Sequence, residues 1–387
     1  MDKKGLCVFT YANPLRENHK AQLWRILETL GNLDLFEKVV LLTQRGPSQL
    51  KTEEIANNVL NHRFKILLEK KESGKTSFLA MMIRNSLWVT NIMKYVFLKK
   101  VSVVTFLGAI ELITLPYFKI IKRSKVVYHA DDMVTQNRGP KVITKIYSIL
   151  ERSFLKYCDK VVVNGPSIKQ WYENEYNTEG VEVVLNATVR KEDVKKVEKN
   201  SLHDKLGIPS DEIIFGYVGS FTKGRSLEAL VKIFPELKGK HLVLAGRDGE
   251  EEMVKEAARK FSNIHFIGSL RWDKIPEFTR SIDVGLVLLE KVSLNYYYNL
   301  PTKLFQYLAS GRPVIVSDFP DMGNLIDKYD AGWKVEPQSD KVYSLIQGIE
   351  LSEIRERQSR LERNRASFTW EGQESKVKEI YTGLLAK

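Results

Sequence analysis

Short apolar runs alternate with segments of helical periodicity along nearly the whole chain. The first run is Leu6-Cys7-Val8-Phe9-Thr10. It is followed by Leu23, Ile26, Leu27 and Leu30 at the spacing of one helix face, with Gly31 as the expected stop. Lys38-Val39-Val40-Leu41-Leu42 reads as the next strand, and further runs occur at 101–107, 126–129, 161–163 and 181–185. Near-continuous apolar strands separated by helical patterns predict a parallel sheet with helices on both faces, the α/β class. The charged stretch 190–200 reads as a linker. A second alternating series opens at Ile213-Ile214-Phe215-Gly216-Tyr217-Val218-Gly219, with later strands at 241–245, 264–267, 284–288 and 314–317. Between the strands, Leu227, Leu230, Val231 and Phe234 share one helix face. Two open α/β domains in tandem follow, and in such sheets ligands bind outside the carboxyl ends of the strands.

A length of 387 residues suits two domains, and 43% hydrophobic with 28% charged residues is ordinary globular composition. Cys7 and Cys158 have no metal or redox spacing and read as reduced, buried thiols. The apolar run near the start is too short for a signal peptide, and no stretch is long enough to span a bilayer. These readings predict a cytoplasmic protein, in which the sequon at Asn186 is a coincidence.

The net charge of +12 is unevenly placed: between Phe64 and Lys125 there are twelve Lys/Arg against three Glu. The same segment carries Phe78, Leu79, Met82, Ile83, Leu87, Trp88, Met93 and Phe97. Basic residues interleaved with bulky apolar ones suit a helix lying on an anionic membrane. An amphipathic helix whose apolar stripe faces its own core has the same pattern. No RNA-binding signature or zinc-ligand spacing accompanies the charge, so nucleic acid is not the expected partner.

Four loops are placed to carry chemistry. Tyr217-Val218-Gly219-Ser220-Phe221-Thr222-Lys223-Gly224-Arg225 leads from a strand through glycines to a helix, and with Lys223 and Arg225 it can cradle a diphosphate. Ala245-Gly246-Arg247-Asp248-Gly249 and Phe266-Ile267-Gly268-Ser269-Leu270 are further strand-end glycine turns. The fourth runs from strand 283–288 through a Tyr- and Asn-rich loop to Asn299-Leu300-Pro301-Thr302-Lys303-Leu304-Phe305-Gln306-Tyr307-Leu308-Ala309-Ser310-Gly311-Arg312-Pro313-Val314.

The order and spacing of that stretch resemble the carboxy-terminal half of retaining glycosyltransferases of the GT-B fold. The likeness is to the family 4 (group 1) enzymes that build bacterial capsular, O-antigen and other surface polysaccharides. It extends through the Tyr217–Arg225 loop, 242–246 and 263–268 to the closing Phe368-Thr369-Trp370 and Tyr381. In the first half, Val126-Val127-Tyr128-His129, 158–164 and Leu185-Asn186 are similar to the family's strand ends. The first loop, Tyr11-Ala12-Asn13-Pro14, lacks the family's usual glycine pair.

The resemblance implies two Rossmann-like domains facing a cleft, with the last helix crossing back to the first domain. Expected boundaries are 1–195 for acceptor binding, 196–367 for the nucleotide sugar, and 368–387 for the returning helix. It implies a hexosyl-type transferase using a nucleotide-sugar donor, UDP-linked ahead of GDP-linked, with retention and no metal or other cofactor. The acceptor is expected to be a glycan or a lipid-linked oligosaccharide, and the protein peripheral on the inner face of the membrane. His129, Arg225 and Lys303 are the expected catalytic residues. Gly219, Ser220, Lys223, Gly246, Gly268, Ser269, Leu270, Asn299, Pro301, Thr302 and Gln306 are expected to bind the donor, and Asp131 to position acceptor hydroxyls. Each charged candidate has an ordinary alternative: a solvated first-turn residue for Arg225, a solvated helix residue for Lys303, a satisfied polar strand end for His129. One departure stands out. The family carries two glutamates with seven residues between them, and Tyr298 and Gln306 occupy those places. A catalytically silent GT-B subunit and a sugar-nucleotide epimerase are the rival readings.

Overall fold

The computed structural model describes residues 4–12, 21–45, 51–65, 78–130, 133–136, 141–195 and 201–386. The chain divides into two compact units, Met1–Val184 with Glu374–Lys387, and Leu185–Gln373. Against the boundaries read from the sequence, the first division comes about ten residues earlier. The cause is packing: Ala187, Val189 and Val194 belong to the core of the second unit. The stretch read as a linker holds the helices Lys191–Lys195 and Ser201–Leu206, and Arg280 donates to the Val194 carbonyl at 2.9 Å. Residues 196–200 lie outside the described residues.

The first unit has the strands β1 (Leu6–Tyr11), β2 (Val39–Arg45), β3 (Thr52–Ala56), β4 (Val59–Lys65), β5 (Val101–Phe106), β6 (Lys125–Ala130), β7 (Lys160–Val163) and β8 (Val181–Val183). They form one sheet in the order β3-β4-β2-β1-β5-β6-β7-β8. Every pairing is parallel except that of the edge strand β3 with β4. The helix Ala21–Asn32 continues through Gly31 rather than stopping there. A Cβ at Gly31 would meet the Asn57 carbonyl oxygen at 2.1 Å, so this glycine admits the β3–β4 turn against the helix.

The long basic segment resolves into the helix Phe78–Val96, whose Trp88, Ile92 and Val96 are buried at four-residue spacing. This stripe therefore faces its own core, while Met82 and Ile83 of the same helix stay exposed. The side chains of Phe78 and Leu79, like residues 66–77, lie outside the described residues. Trp88 donates to the buried Glu111 carboxyl at 2.8 Å, as does the Gly108 amide. A second buried carboxyl, Glu151, accepts from the hydroxyls of Tyr128 at 2.6 Å, Tyr176 at 2.7 Å and Tyr172 at 3.2 Å, tying β6 to the helices beside it. The C-terminal segment belongs to this unit: Tyr381 lies against Phe9 and its hydroxyl meets that of Thr105 at 2.9 Å. Cys7 is buried, whereas Cys158 is only partly so, and burial pushes both thiols up, Cys158 to about 12.

The second unit has β9 (Ile213–Ser220), β10 (Lys240–Arg247), β11 (Ile264–Phe266), β12 (Val284–Val287), β13 (Val314–Ser317) and β14 (Gly332–Val335). The order is β11-β10-β9-β12-β13-β14, all parallel. Order reverses at β9, which has β10 on one side and β12 on the other. β9 and β12 pair only at Val284–Phe215 and Gly285–Gly216, and then part. The helix Thr302–Ala309 fills the gap. Its Tyr307 hydroxyl accepts from the Val218 amide at 2.9 Å, so a side chain satisfies the donor that the neighbouring strand leaves unpaired.

Two predictions follow from these contacts. A Cβ at Gly285 would meet the Tyr307 ring at 2.4 Å. Gly285→Ala is expected to cost about 1–3 kcal/mol by overpacking, read as a lower denaturant midpoint. Burial raises the Glu111 carboxyl to about 8, above its value in the unfolded chain. The folded state then holds the proton between about pH 5 and pH 8, and stability falls as pH rises through that window, by at most about 1.4 kcal/mol per unit. Unfolding measured across this range is expected to show a flatter pH slope in Glu111→Gln than in the parent.

Candidate functional site

The C-terminal ends of β9, β10 and β11 lie side by side, and each ends in a glycine turn. Gly246 is in register with Gly219, and its amide donates to the Gly268 carbonyl at 2.9 Å. A Cβ at Gly246 would stand 1.9 Å from the Gly219 carbonyl oxygen, so only glycine lets the two strand ends approach this closely. Gly219 has φ +140°, in the region that favours glycine. The backbone is thereby bared at the sheet edge next to the β9/β12 divergence, the place where open α/β sheets take ligands.

Two cations reach that place from different loops. Lys303, in the first turn of the helix Thr302–Ala309, is 6% exposed, and its Nζ has no hydrogen-bond partner among the described residues. The Nζ lies 3.5 Å from the centre of the Tyr217 ring and 3.8 Å from where a Gly219 Cβ would be. Arg225 donates through Nε to Thr222 Oγ1 at 3.0 Å, and its guanidinium lies 5.7 Å from the centre of the Tyr296 ring. Burial first, then the field of Arg225, lowers the Lys303 ammonium well below the ordinary lysine range. Burial likewise raises the Tyr217 hydroxyl, which donates to the Ser220 carbonyl at 2.7 Å. A buried ammonium facing another cation, with only an aromatic ring beneath it, is electrostatically incomplete; an anion would complete it.

The remaining predicted residues divide. Ser220 donates to Asp248 at 3.1 Å, beside the Gly219–Gly246 pair. Pro301 caps the helix that carries Lys303, with Asn299 and Thr302 half-buried around it, and Gln306 follows on the same helix, half-buried. Lys223 and Ser269 are exposed, and Leu270 packs against the core of this unit. Lys223 stands in the field of Glu228 and Glu250. Tyr298 closes the helix Leu294–Tyr298 with its ring 5.1 Å from that of Tyr297, and no carboxylate takes its place. His129 belongs to the first unit, buried near the end of β6; Asp131 and Asp132 after it lie outside the described residues, as do Asn13 and Pro14. Sequence reasoning missed Tyr217 and Tyr296, the rings under the two cations. An aromatic two residues before the strand-end glycine was the available signal for Tyr217. Among the described residues, no group of three or more His, Cys, Asp or Glu is placed to hold a metal ion.

The unpaired ammonium makes a prediction independent of activity. Lys303→Met is expected to stabilise the ligand-free protein by about 1 kcal/mol or more, because it removes an uncompensated buried charge. The folded lysine releases its proton below the unfolded value of 10.5, so stability should rise with pH toward that value. The rise should vanish in the variant, as followed by thermal midpoints at several pH values.

Comparison with known proteins bears on the family and the fold. Residues 212–350 match the model of the group 1 glycosyl transferases. An uncharacterized glycosyltransferase of Methanocaldococcus jannaschii is 24% identical over 191 residues, which cover 46% of this chain and 47% of that protein. The match thus spans about half the length of that curated relative. Sucrose-phosphate synthase from Thermosynechococcus elongatus superposes with a TM-score of 0.78 at 15% identity, covering 99% of this chain and 100% of that one. Anabaena HepE in complex with UDP superposes with a TM-score of 0.71 at 13% identity, covering 98% and 100%. The chain therefore has the GT-B fold, and residues 212–350 of its second unit resemble the group 1 glycosyl transferases.

Proposed function

We propose that this protein is a glycosyltransferase that moves a hexosyl group from a nucleotide-sugar donor to a glycan or lipid-linked acceptor. The reading rests on the Lys303 ammonium, buried without a hydrogen-bond partner against Gly219 and facing Arg225. A diphosphate supplies the missing negative charge. The glycine-edged strand ends let its oxygens approach the backbone, and the first turn of the helix Thr302–Ala309 stands beside Gly219 through Lys303. As the sugar–phosphate bond breaks, charge grows on the departing diphosphate. Fixed cations there stabilise the transition state more than the ground state. Because Arg225 and Lys303 provide that charge, the proposal assigns no metal to the step.

The finer parts of the proposal follow the family likeness. The donor is UDP-linked ahead of GDP-linked, and the HepE complex supports this as a protein of the same fold that holds UDP. Gln306 is assigned to the ribose hydroxyls, for which its amide can both donate and accept. His129 is the first unit's candidate for the sugar. Transfer proceeds with retention, in assembly of a surface polysaccharide, on the inner face of the cell membrane. No helix among the described residues is long and apolar enough to cross a bilayer, so the attachment is proposed as peripheral.

Tyr298 in place of a carboxylate favours one second reading, a subunit that binds the nucleotide but transfers nothing. Calorimetric titration with UDP and with GDP tests the main proposal. One nucleotide should bind at micromolar strength, weakened about 10- to 150-fold in Arg225→Ala and in Lys303→Met, the loss of a charge-assisted contact. Failure of both nucleotides to bind would sink it. Binding of UDP without release of UDP from any UDP-sugar, acceptor present, would move the assignment to the silent subunit.

A further inference from the structure

Three neighbouring connections of the first unit, 97–100, 117–124 and 155–159, the last two holding the short helices Tyr117–Ile121 and Leu155–Tyr157, lead into β5, β6 and β7, which are adjacent in the sheet. They therefore share its N-terminal edge. The loops are tied together. Lys122 donates to the carbonyls of Phe97 at 2.6 Å and Lys99 at 3.0 Å, and Lys119 reaches Asp159 at 2.7 Å with Lys125 at 3.8 Å from the same carboxylate. On this braced edge Phe97 is 67% exposed, Leu98 90%, Ile120 74% and Ile121 68%. Single exposed apolar residues are common, but four large ones projecting from two bonded loops are not explained by folding. These segments and the residues flanking them carry Lys94, Lys99, Lys100, Lys119, Lys122, Arg123, Lys125 and Lys156, and within the three segments Asp159 is the one carboxylate.

We propose that this edge is a membrane-docking tip, on which Phe97, Leu98, Ile120 and Ile121 enter an anionic bilayer while the surrounding lysines meet its headgroups. The proposal deepens the peripheral-membrane reading given above and rests on it. The chemistry selects lipid over other partners. Cores of protein interfaces are depleted in lysine, whereas membrane-surface segments pair lysine with Phe and Leu. A nucleic acid would use the cations but has no use for projecting Leu and Ile side chains. The surface differs from the one the sequence suggested, because Trp88, Ile92 and Val96 of the helix Phe78–Val96 are buried, whereas the chain just beyond it projects.

The placement has a consequence for the acceptor. Ligands of an open parallel sheet bind at the C-terminal edge of its strands, opposite to this tip. A six-residue strand such as β5 spans roughly 20 Å at about 3.3 Å per residue. With the tip in the headgroups, the acceptor edge stands that far from the lipid. The geometry therefore favours a lipid-linked oligosaccharide that extends out of the bilayer over a single sugar lying at its surface.

Co-sedimentation of the full chain with vesicles tests this, using phosphatidylcholine alone and phosphatidylcholine containing a third phosphatidylglycerol. The first variant is F97S/L98S/I120S/I121S. The second, I83S/I149S, alters exposed apolar residues elsewhere on the unit. The parent should bind the anionic vesicles, more weakly as salt is raised, and hardly bind the neutral ones. The first variant should partition at least tenfold less while keeping the parent's thermal midpoint and UDP titration; the second should match the parent. If the first variant binds as the parent does, and I83S/I149S loses binding, the tip is wrong while membrane association stands. If the parent binds neither vesicle, both the tip and the peripheral-membrane reading fall, with the nucleotide titration left to judge the transferase separately. A parent that is dimeric by sedimentation equilibrium, with the first variant monomeric, would assign the tip to a second copy of this chain and overturn the proposal.

Discussion

Strands β9 and β12 part after two paired positions, and the backbone donor this leaves at Val218 must be satisfied inside the second unit. Tyr307 does so with its hydroxyl, while its ring lies over Gly285, where no larger residue fits. The helix carrying Tyr307 is thereby fixed in depth and rotation against the divergence. Lys303 lies four residues earlier, on the same face, and is delivered over the Tyr217 ring beside Gly219. One hydrogen bond and one steric fit thus fix this helix at the strand divergence and set a cation beside Gly219. The site is a by-product of how the sheet solves its own backbone accounting.

Electrostatics adds a tension. A buried ammonium without a hydrogen-bond partner, facing a guanidinium, works against the folded state unless an anion arrives. Preorganised charge of this kind is useful in group transfer because nothing needs to reorient when the leaving group gains charge. Stability and recognition are therefore opposed at Lys303, as they commonly are where a binding site is built before its ligand is present.

The near-continuous apolar strands were legible because burial on both faces of a parallel sheet leaves little other choice; β13, Val-Ile-Val-Ser, is buried throughout. The glycine turns and the segment 299–314 were legible because turn chemistry is local. What escaped the sequence was non-local. The hairpin β3–β4 was missed because its edge strand, Thr-Glu-Glu-Ile-Ala, faces outward and buries little. Gly31 read as a helix stop, because the Asn57 carbonyl it accommodates is distant in the chain. The charged stretch 190–200 read as a linker, although Val194 is buried in the second unit. Lys303 shows the same limit at the site. Its spacing left a solvated helix residue open, and its burial against Tyr217 removes that reading.

Burial also separates the two places where this protein concentrates positive charge. At Lys303 the cation is enclosed, so salt screens it little, and it can select a ligand by position as well as by charge. On the N-terminal edge of the first unit the lysines are numerous and either exposed or half-buried, where their field is broad and salt-sensitive. A broad field suits a target that is a surface rather than a molecule, and the projecting Phe97, Leu98, Ile120 and Ile121 give that surface an apolar phase to accept. The charge excess of the chain is thus not one property with one explanation. Depth sets the two parts of it apart: one cation is enclosed beside the strand divergence, and the others lie along an outer edge of the first unit.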